Sequence, residues 1–176
     1  LVPMLPTGEG TATPHLTWNS EPFKTGEPTI LELAGCRNRY HCPMSRTMHL
    51  GPPPDRMATV ANVAVEAINT TIDMMIPGVT CEEVQAAWTA VVRKHGIEKD
   101  SRMGYSIGLN YPPDWGEHTL SIRPGDQTPL QAGMTLHVMP GIWQDNWGIE
   151  ISEPVLITEK GAEKFCTFPQ ELVVKT

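Results

Sequence analysis

The most regular apolar spacing in the chain lies between residues 55 and 76. Met57, Val60, Ala64, Ile68, Thr71, Ile72 and Met75 recur at three- and four-residue steps, which puts them on one stripe of a helix. Pro52-Pro53-Pro54 prevents extension backwards, and Pro77-Gly78 stops the helix. The methionines on the stripe read as adaptable core filler. A second helix follows at once. Thr80-Cys81-Glu82-Glu83 has the form of a capping box, with Thr80 as the cap and Glu83 reaching back. Val84, Trp88, Val91 and Val92 make its buried stripe, and it runs to His95 before Gly96. His95, in the last turn, reads as a partner of the helix dipole.

Elsewhere the period is two. Residues 29–35 predict a strand ending at Gly35, with residues 40–50 as its hairpin partner; Pro43 demotes that partner to an edge or bulged strand. Residues 1–28, rich in Pro, Gly and Thr, predict no strand, and His15 within them reads by pattern alone as a surface-loop histidine. Gly104 and Gly108 frame a short strand or turn, residues 112–116 an irregular loop, and Glu171 to Lys175 a last strand. Residues 134–158 read as two strands joined by the polar turn Gln144-Asp145-Asn146, between Trp143 and Trp147. Alternation puts Thr135, His137 and Met139 on one face of the first strand and Glu150 and Ser152 on one face of the second. That hairpin is either a pocket wall or a solvated ribbon with tryptophan anchors. Strand pair, helix pair, strand pair is an α+β order.

Composition narrows the function classes. The 176 residues suit one domain, 1–176, and at 40 % hydrophobic the chain can bury a core. A net charge of −7 with scattered basic residues excludes a general nucleic-acid binder. No run approaches the roughly 18–20 apolar residues of a membrane span. The opening LVPMLPTGEG lacks the basic and apolar regions of a signal peptide. The four cysteines are spread out with no CxxC, so neither a zinc site nor a disulfide framework is indicated, and reduced thiols in a cytoplasmic setting are expected.

Several strings then resemble, in order, the pita-bread catalytic domain of the methionine aminopeptidase, prolidase and creatinase superfamily. They are Gly104-Tyr105-Ser106-Ile107-Gly108, Met139-Pro140-Gly141-Ile142-Trp143, Gly148-Ile149-Glu150-Ile151-Ser152-Glu153, Ser45-Arg46-Thr47 and Thr13-Pro14-His15. The resemblance implies a pita-bread fold that is incomplete at its N-terminus, the C-terminal part of a longer two-domain, dimerising protein. The family's metallopeptidases hold two metal ions with two Asp, one His and two Glu. Matched one by one, those positions fall on Leu33, Pro43, Tyr105, Met139 and Ser152. Aliphatic, proline and thioether side chains cannot supply hard oxygen ligands. The resemblance therefore points to the metal-free, creatinase-like branch, with no cofactor, and the strings at 104–126 and 139–151 look closest to the ectoine hydrolases, which open a cyclic amidine.

A zwitterionic amidinium substrate sets the expected roles. His15, aligned with the creatinase histidine, and His137 are the candidate bases. Glu150, and less directly Glu153, would hold the amidinium N–H groups. Trp115, Trp143 and Trp147 would cover the cationic ring. Tyr105 either donates to the developing intermediate or belongs to the core. Glu117 would orient His118 or bind substrate. Arg46 either meets the substrate carboxylate or forms a structural ion pair. The rival readings are an Xaa-Pro peptidase and a non-catalytic binding module.

Overall fold

The computed structural model describes residues 3–99 and 101–176. A 3-10 turn at Gly8–Ala12 precedes strands β1 (Pro28–Arg37) and β2 (Tyr40–Leu50), helices α1 (Asp55–Met74) and α2 (Cys81–Arg93), and eight further strands. These are β3 (Gly104–Ile107), β4 (Gly116–Ile122), β5 (Thr135–Val138), β6 (Gly141–Trp143), β7 (Gly148–Glu150), β8 (Glu153–Thr158), β9 (Gly161–Lys164) and β10 (Val173–Lys175). Five strands form one sheet in the order β4-β3-β5-β8-β9, three form another in the order β1-β2-β10, and β6-β7 stands as a separate ribbon. Among the described residues no helix is long and apolar enough to cross a membrane.

The helix pair follows its pattern closely. Thr80 Oγ accepts from the Glu83 N–H at 3.3 Å, and the Glu83 carboxylate accepts from the Thr80 N–H at 2.8 Å. Helix α1 ends at Met74 rather than at residue 76, because the residue before a proline is pushed out of helical geometry and Ile76 precedes Pro77. Helix α2 ends at Arg93, after which tight turns lead to Gly96 in the left-handed region. Trp88, Ile68, Val84 and Val92 are fully buried, and they pack with Leu136, Val138, Ile149, Val155 and Ile157 from the strands in one apolar core.

The strands depart further from expectation. Strands β1 and β2 pair in continuous register around Asn38 and Arg39, both at positive φ as a two-residue hairpin turn requires. Strand β2 is neither bulged nor an edge along its whole length: β10 joins its far end in parallel at residues 48–50, and Pro43 lies where that side is open. The hairpin of residues 134–158 is bent into two layers. Strand β5 pairs with β8 in the five-stranded sheet, while β6 and β7 form the ribbon. The break falls at Met139-Pro140 on one side and Ile151-Ser152 on the other. Alternation along β5 sends Leu136 and Val138 to the helices and turns His137 to the opposite face.

Candidate active site

On that opposite face two carboxyl groups are buried side by side. Glu32, on β1, is 4 % exposed and Glu150, on β7, 5 %. Strand β2, the ladder partner of β1, is tied in turn to the Glu150 strand and to Ser152. Thr47 Oγ accepts from the Glu150 N–H at 2.8 Å and donates to the Glu150 carbonyl at 3.0 Å. The Ser45 N–H donates to Ser152 Oγ at 2.7 Å, and the Ser152 N–H to the Ser45 carbonyl at 3.1 Å. Burial raises the pKa of Glu32, and the charge of Glu150 and a hydrogen bond to it push the same way. Burial also raises Glu150, with the Lys99 ammonium opposing. Two buried carboxyl groups in contact cannot both ionise, so the pair keeps one proton at neutral pH.

Lys99 supplies the nearby positive charge. Its Nζ donates to Ser101 Oγ at 2.6 Å and to the Gly141 carbonyl at 2.8 Å, and it lies 4.2 Å from the centre of the Trp143 ring. Gly141 is the cross-strand partner of Glu150. Burial lowers the lysine pKa to about 8, while the negative charge of Glu150 holds it up.

Behind the carboxyl pair runs a chain of polar contacts. The Trp115 Nε1–H donates to the Tyr105 hydroxyl at 2.7 Å, Tyr105 Oη lies 2.9 Å from His137 Nδ1, and His137 Nε2 lies 2.7 Å from Ser152 Oγ. The His137 ring has no exposure at all, and burial, with the Arg102 charge, lowers its pKa to about 3. It is therefore neutral, and its 4.0 Å approach to Glu32 is no ion pair at neutral pH. Burial raises the Tyr105 hydroxyl, and the Glu32 charge adds to this, so the phenol keeps its proton.

In front lies a partly enclosed cavity of about 170 Å³. It is lined by the buried Glu32, Tyr105 and Met139 together with Arg102, His15, Asp114 and His118. The Arg102 guanidinium stacks on the Tyr105 ring at 4.6 Å. The Asp114 carboxylate accepts from the Trp115 and Gly116 N–H groups at 2.7 and 3.0 Å and contacts His118 Nε2. His15, His137, Glu150, Tyr105 and Trp115 are thus brought to one region, His15 at the cavity wall and His137 sealed behind Tyr105.

The remaining sequence-predicted residues lie elsewhere. Every Arg46 donor group is satisfied internally: by Glu153 at 2.6 Å, and by the carbonyls of Ser45, Ser152, Phe168 and Pro169. Arg46 and Glu153 are both buried, so the structure gives them the structural ion pair and not the substrate contact. Glu117 accepts from the Leu109 N–H and lines a separate groove of about 550 Å³. Trp147 packs against the apolar core. Trp143 faces Lys99. Sequence reasoning missed Glu32, Lys99, Arg102 and Asp114. Of these Glu32 had a signal, since strict alternation through Ile30, Glu32 and Ala34 opposes it to Leu33.

The sequence profile described as "Metallopeptidase family M24" matches residues 2–159. The chain belongs to metallopeptidase family M24. A protein named ectoine hydrolase from Halomonas elongata is 48 % identical over 99 % of this chain and 44 % of its own length. An Xaa-Pro dipeptidase from Pyrococcus furiosus is 25 % identical over 97 % of the chain and 48 % of its own. Among solved structures, dipeptidase PepE from Mycobacterium ulcerans superposes with a TM-score of 0.91 at 28 % identity, over 99 % of this chain and 47 % of that one. This M24 chain therefore has the pita-bread fold and spans less than half the length of these relatives.

One M24 position needs correction. Leu33, matched above to the first metal-binding Asp, is 52 % exposed, and Glu32 is the residue of that strand that faces the site. The other four positions do face inward: Tyr105, Met139 and Ser152 are buried there, and Pro43 sits opposite Ala34. A phenol, a thioether, a hydroxyl and a proline ring around two carboxyls that share a proton do not fit a pair of metal ions. Among the described residues, no three His, Cys, Asp or Glu side chains cluster as metal ligands would.

Proposed function

We propose that this chain is the catalytic part of a metal-independent hydrolase that opens the cyclic amidine of ectoine, or of a close relative, at a C–N bond. The observation that carries the reading is one small cavity lined by both the Glu32 carboxyl, a member of the proton-sharing pair, and the Arg102 cation. A ring with a cationic amidinium and a carboxylate needs both. The carboxylate meets Arg102, which takes the role first considered for Arg46, and the amidinium N–H groups meet the Glu32–Glu150 carboxyls. The 48 % identity to the protein named ectoine hydrolase supports the same substrate class.

An amidinium carbon is already electrophilic, so water activation, stabilisation of the tetrahedral centre and protonation of the leaving nitrogen complete the reaction. The neutral His137, fixed by Ser152, orients the Tyr105 hydroxyl toward the cavity, where it can donate to the new oxygen. His15 and His118 are the histidines that line the cavity.

The test is incubation of the full-length protein with ectoine after dialysis against a chelator, with mass detection of the one-water product. Ring opening at undiminished rate supports both parts of the reading. No turnover by folded protein overturns the substrate. Activity lost to the chelator and restored by manganese overturns metal independence.

A further inference from the structure

The three histidines near the cavity differ in what they can do. His137 uses both ring nitrogens on Tyr105 and Ser152, and it has no exposure. It has neither a free lone pair nor access to water. His15 is exposed on the cavity wall, but no carboxylate among the described residues orients its ring. His118 has both features the others lack. Its Nε2 contacts Asp114 Oδ2 at 2.5 Å, and its Nδ1 has no protein partner among the described residues.

The backbone is built around this arrangement. His118 sits within β4 at φ 59, the left-handed region that a residue in a strand rarely enters. The β3–β4 register shifts there: Gly116 pairs with Ile107 and Ser121 with Tyr105, so the residues between them, His118 included, bulge out of the ladder. Strain of this kind persists where the surroundings impose it, and it clusters at functional sites. Asp114 is fixed in turn by the Trp115 and Gly116 N–H groups, and Trp115 is buried against Tyr105. Against the upward push of burial, the Gly116 N–H, His118 and the Trp115 N–H hold the Asp114 carboxyl below its usual range, so it stays ionised.

From this geometry we infer that the Asp114–His118 pair is the general base of the site, with Asp114 holding the Nε2–H tautomer and His118 Nδ1 taking the proton from the attacking water. The inference rests on the cyclic-amidine reading. In the step, water oxygen bonds to the amidinium carbon, its proton passes to Nδ1, and the C=N electron pair moves onto nitrogen. His118 then returns the proton to one ring nitrogen as the C–N bond breaks. The hydroxyl of the former tetrahedral centre becomes the amide carbonyl, its proton passing to the freed amine. The sum is one zwitterionic substrate and one water to one ring-opened zwitterion, with no other reactant.

The experiment measures ectoine hydrolysis and calorimetric ectoine binding for the full-length protein and its variants His118→Asn, His118→Gly, Asp114→Asn and His15→Ala. Asn and Gly both tolerate the left-handed backbone, so neither variant disturbs the strand. His118→Asn is expected to lower kcat by about 10²–10⁴-fold with binding retained. His118→Gly should regain activity with added imidazole. Asp114→Asn should lower kcat less and move the acid limb of the pH profile. Wild-type turnover with His118→Asn within threefold of it, or with the large loss in His15→Ala instead, overturns the base and leaves the substrate reading standing. A folded wild type that neither binds nor hydrolyses ectoine overturns the substrate reading and this base with it.

Discussion

The two faces of strand β5 are packed by opposite rules. On one face Leu136 and Val138 join the helices in a core where Trp88, Ile68 and Ile157 have no measurable exposure, and shape and apolar area decide the packing. On the other, His137 stands among Tyr105, Ser152, Glu32 and Glu150, and its two ring nitrogens are each placed by a hydroxyl. The apolar face tolerates substitution in proportion to the volume lost. The polar face is a network in which removing one partner strands another, and a stranded buried charge costs more than a missing methylene.

That contrast is open to direct test. Arg46→Met should be the most damaging single change, because it strips the buried Glu153 of its partner and releases four carbonyls. A loss of about 3–5 kcal/mol or more is expected by urea unfolding. A loss under 1 kcal/mol would show that the ion pair is not an anchor. Trp88→Ala on the apolar face should cost about 3–5 kcal/mol through the cavity it opens. Both values together, from the same denaturant series, compare the weight of a buried ion pair with that of the apolar core.

The carboxyl pair should reveal itself in pH dependence. A carboxyl whose folded pKa is raised leaves the folded state holding a proton that the unfolded chain has lost. Above the ordinary carboxyl range near 4.5, stability therefore falls as pH rises toward the raised value of Glu32. The slope is at most about 1.4 kcal/mol per pH unit. Glu32→Gln should flatten this fall and stabilise the chain at neutral pH, while abolishing turnover. His137 acts with the opposite sign: its pKa is depressed to about 3, so stability is lost as pH falls from about 6.5 toward that value. A pH-melting series of wild type and Glu32→Gln reads both limbs. The smallest effect is expected at the helix cap, where Thr80→Ala should cost about 1 kcal/mol by thermal melting.

Legibility followed the same division. Helix α1, the Thr80–Glu83 box and the β1–β2 pairing were readable because each depends on neighbours within a few residues. The bent hairpin was not, since nothing local says that Pro140 and Ser152 mark a change of sheet. The site was half legible. His137, Glu150, Tyr105 and His15 emerged from strand alternation and family resemblance together. Lys99 and Arg102 did not, because their roles exist only once β6 and β3 are placed beside them. Arg46 shows the converse limit: a cation beside a conspicuous motif could be a ligand or an anchor, and only the five bonds it makes decide.

Gly148 on β7 lies so close to the Thr11 carbonyl that any Cβ there would collide with it, and its N–H donates to Thr11 Oγ at 3.0 Å. Thr11 is fully buried and donates in turn to Gly8. The segment that carries His15 is thus pinned, four residues upstream, to the strand that carries Glu150. The consequence is mechanical. His15 follows, by four residues, a buried contact made on the strand that carries Glu150, so the loop histidine and the inner carboxyl share one anchor.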